Sequence, residues 1–160
     1  LEKFEALDHV HIEIVQRLRQ LEQLVERLDK VGGDADARAL AASICAFFDD
    51  TARTHHEDEE RVVFPPLLGS GDADLVQKVQ RLQQDHGWIE EDWRELRAVL
   101  ATVAEGHSGF DPVGLRQMGD VFATLCLEHI ALEESLIYPE SKRRQLDDAQ
   151  AEQRRIAASP

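Results

Sequence analysis

His55-His56-Glu57-Asp58-Glu59-Glu60-Arg61-Val62-Val63-Phe64-Pro65 returns near the end of the chain as His129-Ile130-Ala131-Leu132-Glu133-Glu134-Ser135-Leu136-Ile137-Tyr138-Pro139. Both stretches read H-x-x-x-E-E-x-x-x-aromatic-Pro, at an offset of 74 residues. The likeness extends upstream. His11 and His86 stand 75 apart, and at the same offset Ile14 pairs with Ile89, Leu18 with Trp93, Leu21 with Leu96 and Val25 with Leu100. The chain therefore reads as an internal duplication of a helix pair. A rival pairing of Asp8-His9 with Asp85-His86 has an offset of 77, out of step with 74, and leaves Gln16 and Arg19 on the apolar side. His11 is the preferred counterpart of His86.

Outward from these motifs, the 9 Gly and 5 Pro cluster so that four long segments contain no breakers. The first runs from about Phe4 to Val31 and ends at Gly32-Gly33, with Phe4, Leu7, Ile14, Leu18, Leu21, Val25 and Leu28 at helical spacing. The second, about Asp36 to Phe64, carries Leu40, Ile44, Phe47 and Phe48 and is expected to stop at Pro65-Pro66, where the missing N–H ends the ladder. After Gly69-Ser70-Gly71, a third segment carries Leu75, Val79, Leu82, Ile89, Trp93, Leu96, Leu100 and Val103 up to Gly106. The fourth begins at Asp111-Pro112, an N-cap followed by proline at the first helical position, and carries Leu115, Met118, Phe122, Leu125, Leu132 and Leu136 before Pro139. No segment alternates with period two, and connections of roughly 5–8 residues suit antiparallel neighbours. The expected fold is all-α: an up-down-up-down antiparallel four-helix bundle over 1–139. The charged, Gln-rich stretch 140–160 follows as a short surface helix or tail.

At 160 residues the chain suits one domain with a core of its own. Its 18 Lys and Arg against 32 Asp and Glu give a formal charge of −14, which excludes a phosphate backbone as partner. With 42% hydrophobic and 31% charged residues the composition is globular. No apolar run approaches the ~20 residues that cross a bilayer, so no membrane role is expected. Cys45 and Cys126 are too few for a disulfide scaffold and form no C-x-x-C pair. The chain opens at Leu1 with no basic-then-apolar leader, and a cytoplasmic setting is expected.

The chemistry lies in the gaps of the apolar stripes, because a buried polar side chain must find a partner. A histidine falls on the core side of every segment: His11, His55, His86 and His129. His55 lies four and seven residues after Thr51 and Phe48, whereas His56 lies seven after Asp49 and is expected to face solvent, as are His9 and His107. Glu59 and Glu133 follow His55 and His129 by four residues, one turn along the same face. Two helix pairs related by a pseudo-twofold axis would bring four imidazoles and two carboxylates to one level of the bundle. That set suits iron, manganese or zinc, and two carboxylates able to bridge favour two ions. A single histidine on an apolar face is ordinarily a hydrogen-bonded core residue. Four at matched positions with two matched glutamates are better explained by metal, since burying all six without an ion is expensive. Glu57, Asp58, Glu60 and Glu134 read as a solvated acidic face, with Glu60 and Glu134 as alternative partners for the outer nitrogens of bound histidines. Cys126, one turn before His129, reads as a small core residue rather than a redox group. Trp88, Trp93 and Phe122 are expected in the core or pocket wall.

H-H-x-x-E-E followed by Phe-Pro, with H-x-x-x-E-E and Tyr-Pro near the end, resembles the hemerythrin-like, or HHE cation-binding, family over about positions 4–139. The resemblance implies an antiparallel four-helix bundle around two non-haem irons, carboxylate- and oxo/hydroxo-bridged. Its ligands, carried over, would be His11, His55, Glu59, His86, His129 and Glu133. In respiratory hemerythrins the third helix bears two histidines four apart, whereas here His86 is followed by Glu90. Their fourth-helix carboxylate is an Asp five residues beyond the histidine, and here it is Glu133 at four. The four-His, two-Glu set is closer to the branch linked to nitrosative stress and repair of damaged iron–sulfur centres. The Cys-containing N-terminal domain found on many of those does not occur in this sequence. Glu90 is either a further ligand or a polar residue at the pocket mouth.

Three functions are compatible with this reading. The first is reversible binding of O2 or a related small oxidant in sensing, storage or detoxification. The second is an enzyme acting on peroxide or NO, or an iron donor in cluster repair. The third is a regulatory module in which metal occupancy controls folding or partner binding.

Overall fold

Asp34, Asp72 and Asp111 each precede a helix, and each carboxylate accepts a hydrogen bond from a backbone N–H of the first turn. These caps satisfy donors that have no partner inside the helix and fix where three of the four bundle arms begin. In the computed structural model, which describes residues 2–160, the first arm is α1 (Glu2–Lys30). It ends where Gly32 takes φ +85°, a conformation an L side chain resists.

The second arm is one continuous rod in five pieces: α2 (Ala35–Ala46), a π-helical turn (Phe47–Thr51), α3 (Ala52–Asp58), a second π turn (Glu59–Val63) and α4 (Phe64–Leu68). The third arm is α5 (Ala73–Ala104), closed by Gly106 at φ +87°. The fourth is α6 (Pro112–Leu132), a third π turn (Glu133–Ile137) and α7 (Tyr138–Ala157), with right-handed helical backbone at both junctions. No strand occurs among the described residues.

The α1 helix packs on α2 and α6, and α5 packs on the same two, so consecutive arms are neighbours in an antiparallel four-helix bundle. The C-terminal helix expected beyond 139 is present as the continuation of the fourth arm. Two boundaries differ from expectation. Pro65 and Pro66 do not end the second arm, because the π turn ahead of them widens the backbone and relieves the clash of each ring with the carbonyl four residues back. Pro139 follows the third π turn in the same way.

The core forms two apolar clusters. The larger is built on Leu18, Ile44, Phe48, Leu96, Leu100 and Phe122, and the smaller on Phe4, Val63, Phe64, Leu82, Ile137 and Tyr138. Between them lies a level of buried histidine and glutamate. Trp93 and Phe122 are buried as expected, but Trp88 is 59% exposed and forms no part of the wall. It sits one residue before core-facing Ile89, and a single helical step turns it away from the bundle. Cys45 and Cys126 are both buried and unpaired. No helix among the described residues is long and apolar enough to cross a membrane.

Candidate metal centre

One histidine from each arm turns inward at the same level. His11 comes from α1, His55 from α3, His86 from α5 and His129 from α6, joined by Glu59 and Glu133 at the first positions of two π turns. None of the six is more than 9% exposed. A π turn starting at the glutamate keeps its side chain on the face of the histidine four residues earlier, and such turns recur at functional sites.

The distances follow the pseudo-twofold axis. His55 Nε2 lies 2.5 Å from Glu59 Oε1, and His129 Nε2 lies 2.6 Å from Glu133 Oε1. The other carboxylate oxygens face the other pair: His86 Nε2 is 3.1 Å from Glu59 Oε2, and His11 Nε2 is 2.9 Å from Glu133 Oε2. The outer nitrogens are held as well. His86 Nδ1–H donates to Glu60 Oε1 at 2.8 Å, and His11 Nδ1–H donates to Glu134 Oε1 at 3.1 Å. Glu60 and Glu134 therefore act on the histidines rather than forming a solvated face.

His129 Nε2, both ring nitrogens of His55 and both oxygens of Glu133 are buried without a hydrogen-bond partner. The approaches at 2.5 and 2.6 Å lack the alignment of a hydrogen bond, so these lone pairs converge on points between the side chains rather than on one another. Convergent, unsatisfied imidazole and carboxylate donors are what a metal ion requires. Two four-donor groups are assembled, His11-His55-Glu59-Glu133 and Glu59-His86-His129-Glu133, and they share both carboxylates. The residues fit a metal pair.

Electrostatics point the same way. Burial opposes charge on His11, but Glu133 and Glu59 outweigh it and hold the imidazolium up to about 10. At His129, burial is likewise outweighed by Asp85, whose carboxylate lies 3.4 Å from Nδ1, and by Glu133, giving about 9. Burial works against the Glu59 carboxylate, yet His11, His55 and His86 hold it well below the usual carboxylate range. In the absence of metal, the protons held on His11 and His129 balance the carboxylate charge beside them.

Three features escape the sequence reading. Tyr138 is buried, stacks on His11 with ring centroids 5.2 Å apart, and donates to Glu59 Oε1 at 2.7 Å. Burial and the adjacent Glu59 and Glu133 carboxylates push its hydroxyl pKa up, so the proton stays on. Its counterpart Phe64 stacks on His86 at 5.6 Å but has no hydroxyl to offer. The role of Asp85 at His129 is the second, and no spacing in the sequence signals it.

The third is a correction. His56 does not face solvent: it is half-buried, with its ring stacked on His86 at 4.3 Å between centroids. Its register with Asp49 was the signal for exposure, but Asp49 itself faces the third arm. Asp49 accepts from Trp93 Nε1 at 3.0 Å and from Arg97 Nε at 2.8 Å, so that register points into the groove between the second and third arms. Burial, then the neighbouring His86, holds His56 well below the ordinary imidazole range. His9 and His107 are exposed as expected.

The groove is a cleft of about 670 Å³ that reaches His56 and His86 past Trp93 and Glu60. Glu90 is exposed on its wall, 4.0 Å from Arg53, which places it at the mouth and not among the convergent donors. A second cleft, about 610 Å³, lies on the other side of the second arm and reaches His55 past Leu7 and Val10. Burial pushes the Cys126 thiol pKa up, which fits a core residue and not a reactive thiolate.

Among known proteins, an uncharacterized protein of Haemophilus influenzae is 28% identical over 136 residues, covering 84% of this chain and 76% of that one. No solved structure matches the chain significantly. The family model described as the hemerythrin HHE cation-binding domain matches residues 2–141, a span that contains all six convergent side chains and the three π turns. The chain belongs to the hemerythrin HHE cation-binding domain family.

Proposed function

We propose that this is a non-haem di-iron protein that binds O2 or a related small oxidant, with His11, His55, Glu59, His86, His129 and Glu133 as ligands. The observation that carries the reading is the double service of the two carboxylates. Glu59 and Glu133 each set one oxygen against a histidine of the first donor group and the other oxygen against a histidine of the second. A carboxylate so placed suits two ions bridged across its oxygens better than one ion, and the imidazole-rich donor set favours iron.

When bound, a ferrous pair supplies the electrons with which a small oxidant is held or reduced. The chain's own residues do the rest. Glu60 and Glu134 fix the His86 and His11 rings with Nε2 facing inward. The apolar clusters on either side exclude bulk water, and Tyr138 holds a proton beside Glu59. Six protein donors leave positions open for a diatomic or peroxide ligand.

The test is metal content and an optical spectrum of aerobically purified protein, followed by reduction and exposure in turn to O2, peroxide and NO. The expected outcome is two irons per chain, the bands of a bridged ferric pair and a reversible O2-dependent change. One zinc, or a double Glu59→Ala, Glu133→Ala variant that still holds two irons, would overturn the reading.

A second reading, an enzyme turning over peroxide or NO or an iron donor for damaged clusters, draws on two features. The buried Tyr138 hydroxyl donates a hydrogen bond at 2.7 Å to Glu59 beside the donor groups, and the cleft at His86 admits more than a diatomic. Steady-state loss of peroxide or NO at catalytic protein concentration would favour it, and stoichiometric binding without turnover would count against it.

A further inference from the structure

The duplication that builds the centre is broken at three places, each of which makes its halves unequal. His129 has Asp85 at its outer nitrogen, but the residue at the matching position before His11 is Val10, and His55 Nδ1 is buried with no partner. Tyr138 brings a hydroxyl to the His11 side where Phe64 brings none to the His86 side. The third break is His56, whose counterpart at the offset of 74 is the buried apolar Ile130.

His56 is the break with a ligating atom. One nitrogen each of His56, His86 and His129 lie within 4.8 Å of one another, and His86 and His129 also belong to the group with Glu59 and Glu133. Donors on one ion with bonds of ~2.1 Å lie up to ~4 Å apart, so a small adjustment of a half-buried side chain closes the difference. The two neighbouring histidines have carboxylate partners, Glu60 and Glu59 at His86 and Asp85 at His129. The His56 ring packs against three imidazoles: His86, His129 at 5.8 Å and His55 at 5.5 Å between centroids. The ring thus lies between the metal-facing imidazoles and the cleft that it lines.

We propose that His56 is a protein ligand of the ion held by His86 and His129, so that one metal position has three imidazoles and the other, at His11 and His55, has two. The proposal rests on the di-iron reading above. It makes the centre inequivalent through a residue on the second arm, and it places His56 beside His86 on the wall of the cleft.

The experiment loads anaerobic wild type, His56→Ala and His56→Gln with ⁵⁷Fe(II) and records iron stoichiometry and Mössbauer spectra, with His9→Ala as an exposed control. Wild type is expected to hold two irons in two distinct quadrupole doublets. In both His56 variants one doublet shifts, the other stays, and one iron binds about tenfold or more weaker. Free imidazole, entering by the cleft, restores the shifted doublet in His56→Ala. Variants with both doublets and both affinities unchanged overturn the ligand role while leaving the iron pair intact. A wild type that takes up no iron pair overturns instead the di-iron reading beneath it.

Discussion

Glu60 and Glu134 stand one residue beyond the inward glutamates, part-exposed on the helix surface, yet each reaches back to the outer nitrogen of a buried histidine on a facing arm. A carboxylate at Nδ1 fixes the N–H there, leaves the Nε2 lone pair pointing inward and raises its basicity. Glu60→Gln and Glu134→Gln are each expected to weaken iron binding by about 10–100-fold without loss of helix content, measured by competition against a chelator and by circular dichroism. Asp85→Asn should cost less, because its approach to His129 is longer, at 3.4 Å. At this scale the sequence is informative where a residue obeys the helical repeat and opaque where it acts across the bundle. His11, His55, His86 and His129 are legible because each takes an apolar position in a stripe. Asp85 and Tyr138 act through neighbours 44 and 79 residues away, which no periodicity encodes. His56 misleads for a related reason: a position off the core stripe can face a groove between two arms as readily as solvent.

The four arms are legible because their aspartate caps, glycine stops and 3–4 apolar spacing agree with one another, and agreement between local signals is what makes a segment's structure predictable. The π turns are not, since each inserts one extra residue per turn without altering the apolar pattern enough to be seen. Their placement has a consequence at Asp49, inside the turn Phe47–Thr51. From there its carboxylate accepts from the indole N–H of buried Trp93, and its two oxygens share the Arg97 Nε–H at 2.8 Å each. Asp49→Ala leaves that indole N–H unpaired and frees Arg97, and is expected to destabilise the metal-loaded bundle by about 1–2 kcal/mol in urea unfolding. At ~2–4 °C per kcal/mol for a chain of this size, the melting temperature should fall by several degrees. Arg97→Ala alone, which keeps the indole partner, should lose less. Equal losses in the two variants would mean that the surface ion pair, and not the buried donor, is what holds the turn in place.

Across the whole molecule, two apolar clusters are separated by a layer of four imidazoles and two carboxylates, and that layer is stable only if its charges are matched. Without metal, protons do the matching. His11 is raised from 6.5 to about 10 by Glu133 and Glu59 against the opposing effect of burial, so its contribution to stability is complete below pH 6.5 and is lost as pH rises through about 10. His129 behaves likewise up to about 9. Glu59 is depressed below 4.5, so its contribution is present above that value and is lost as pH falls through the lowered one. His56, held well below the ordinary imidazole range, works the other way and costs stability as pH falls below 6.5, so the chelator-treated protein is expected to be most stable near pH 6.5 and to melt progressively lower on either side, down to acid and up to pH 10. Metal reverses the alkaline limb. An ion at Nε2 competes with the same protons, so its binding strengthens as pH rises, and saturation at about 100-fold above Kd adds ~2.7 kcal/mol to the loaded bundle. At pH 7 both His11 and His129 still carry the proton that metal must displace, so uptake of the iron pair should release about two protons per chain. Anaerobic titration calorimetry in buffers of different ionisation enthalpy reads that number directly. A binding heat independent of buffer would mean that the ions enter without deprotonating His11 and His129, and would remove both histidines from the ligand set.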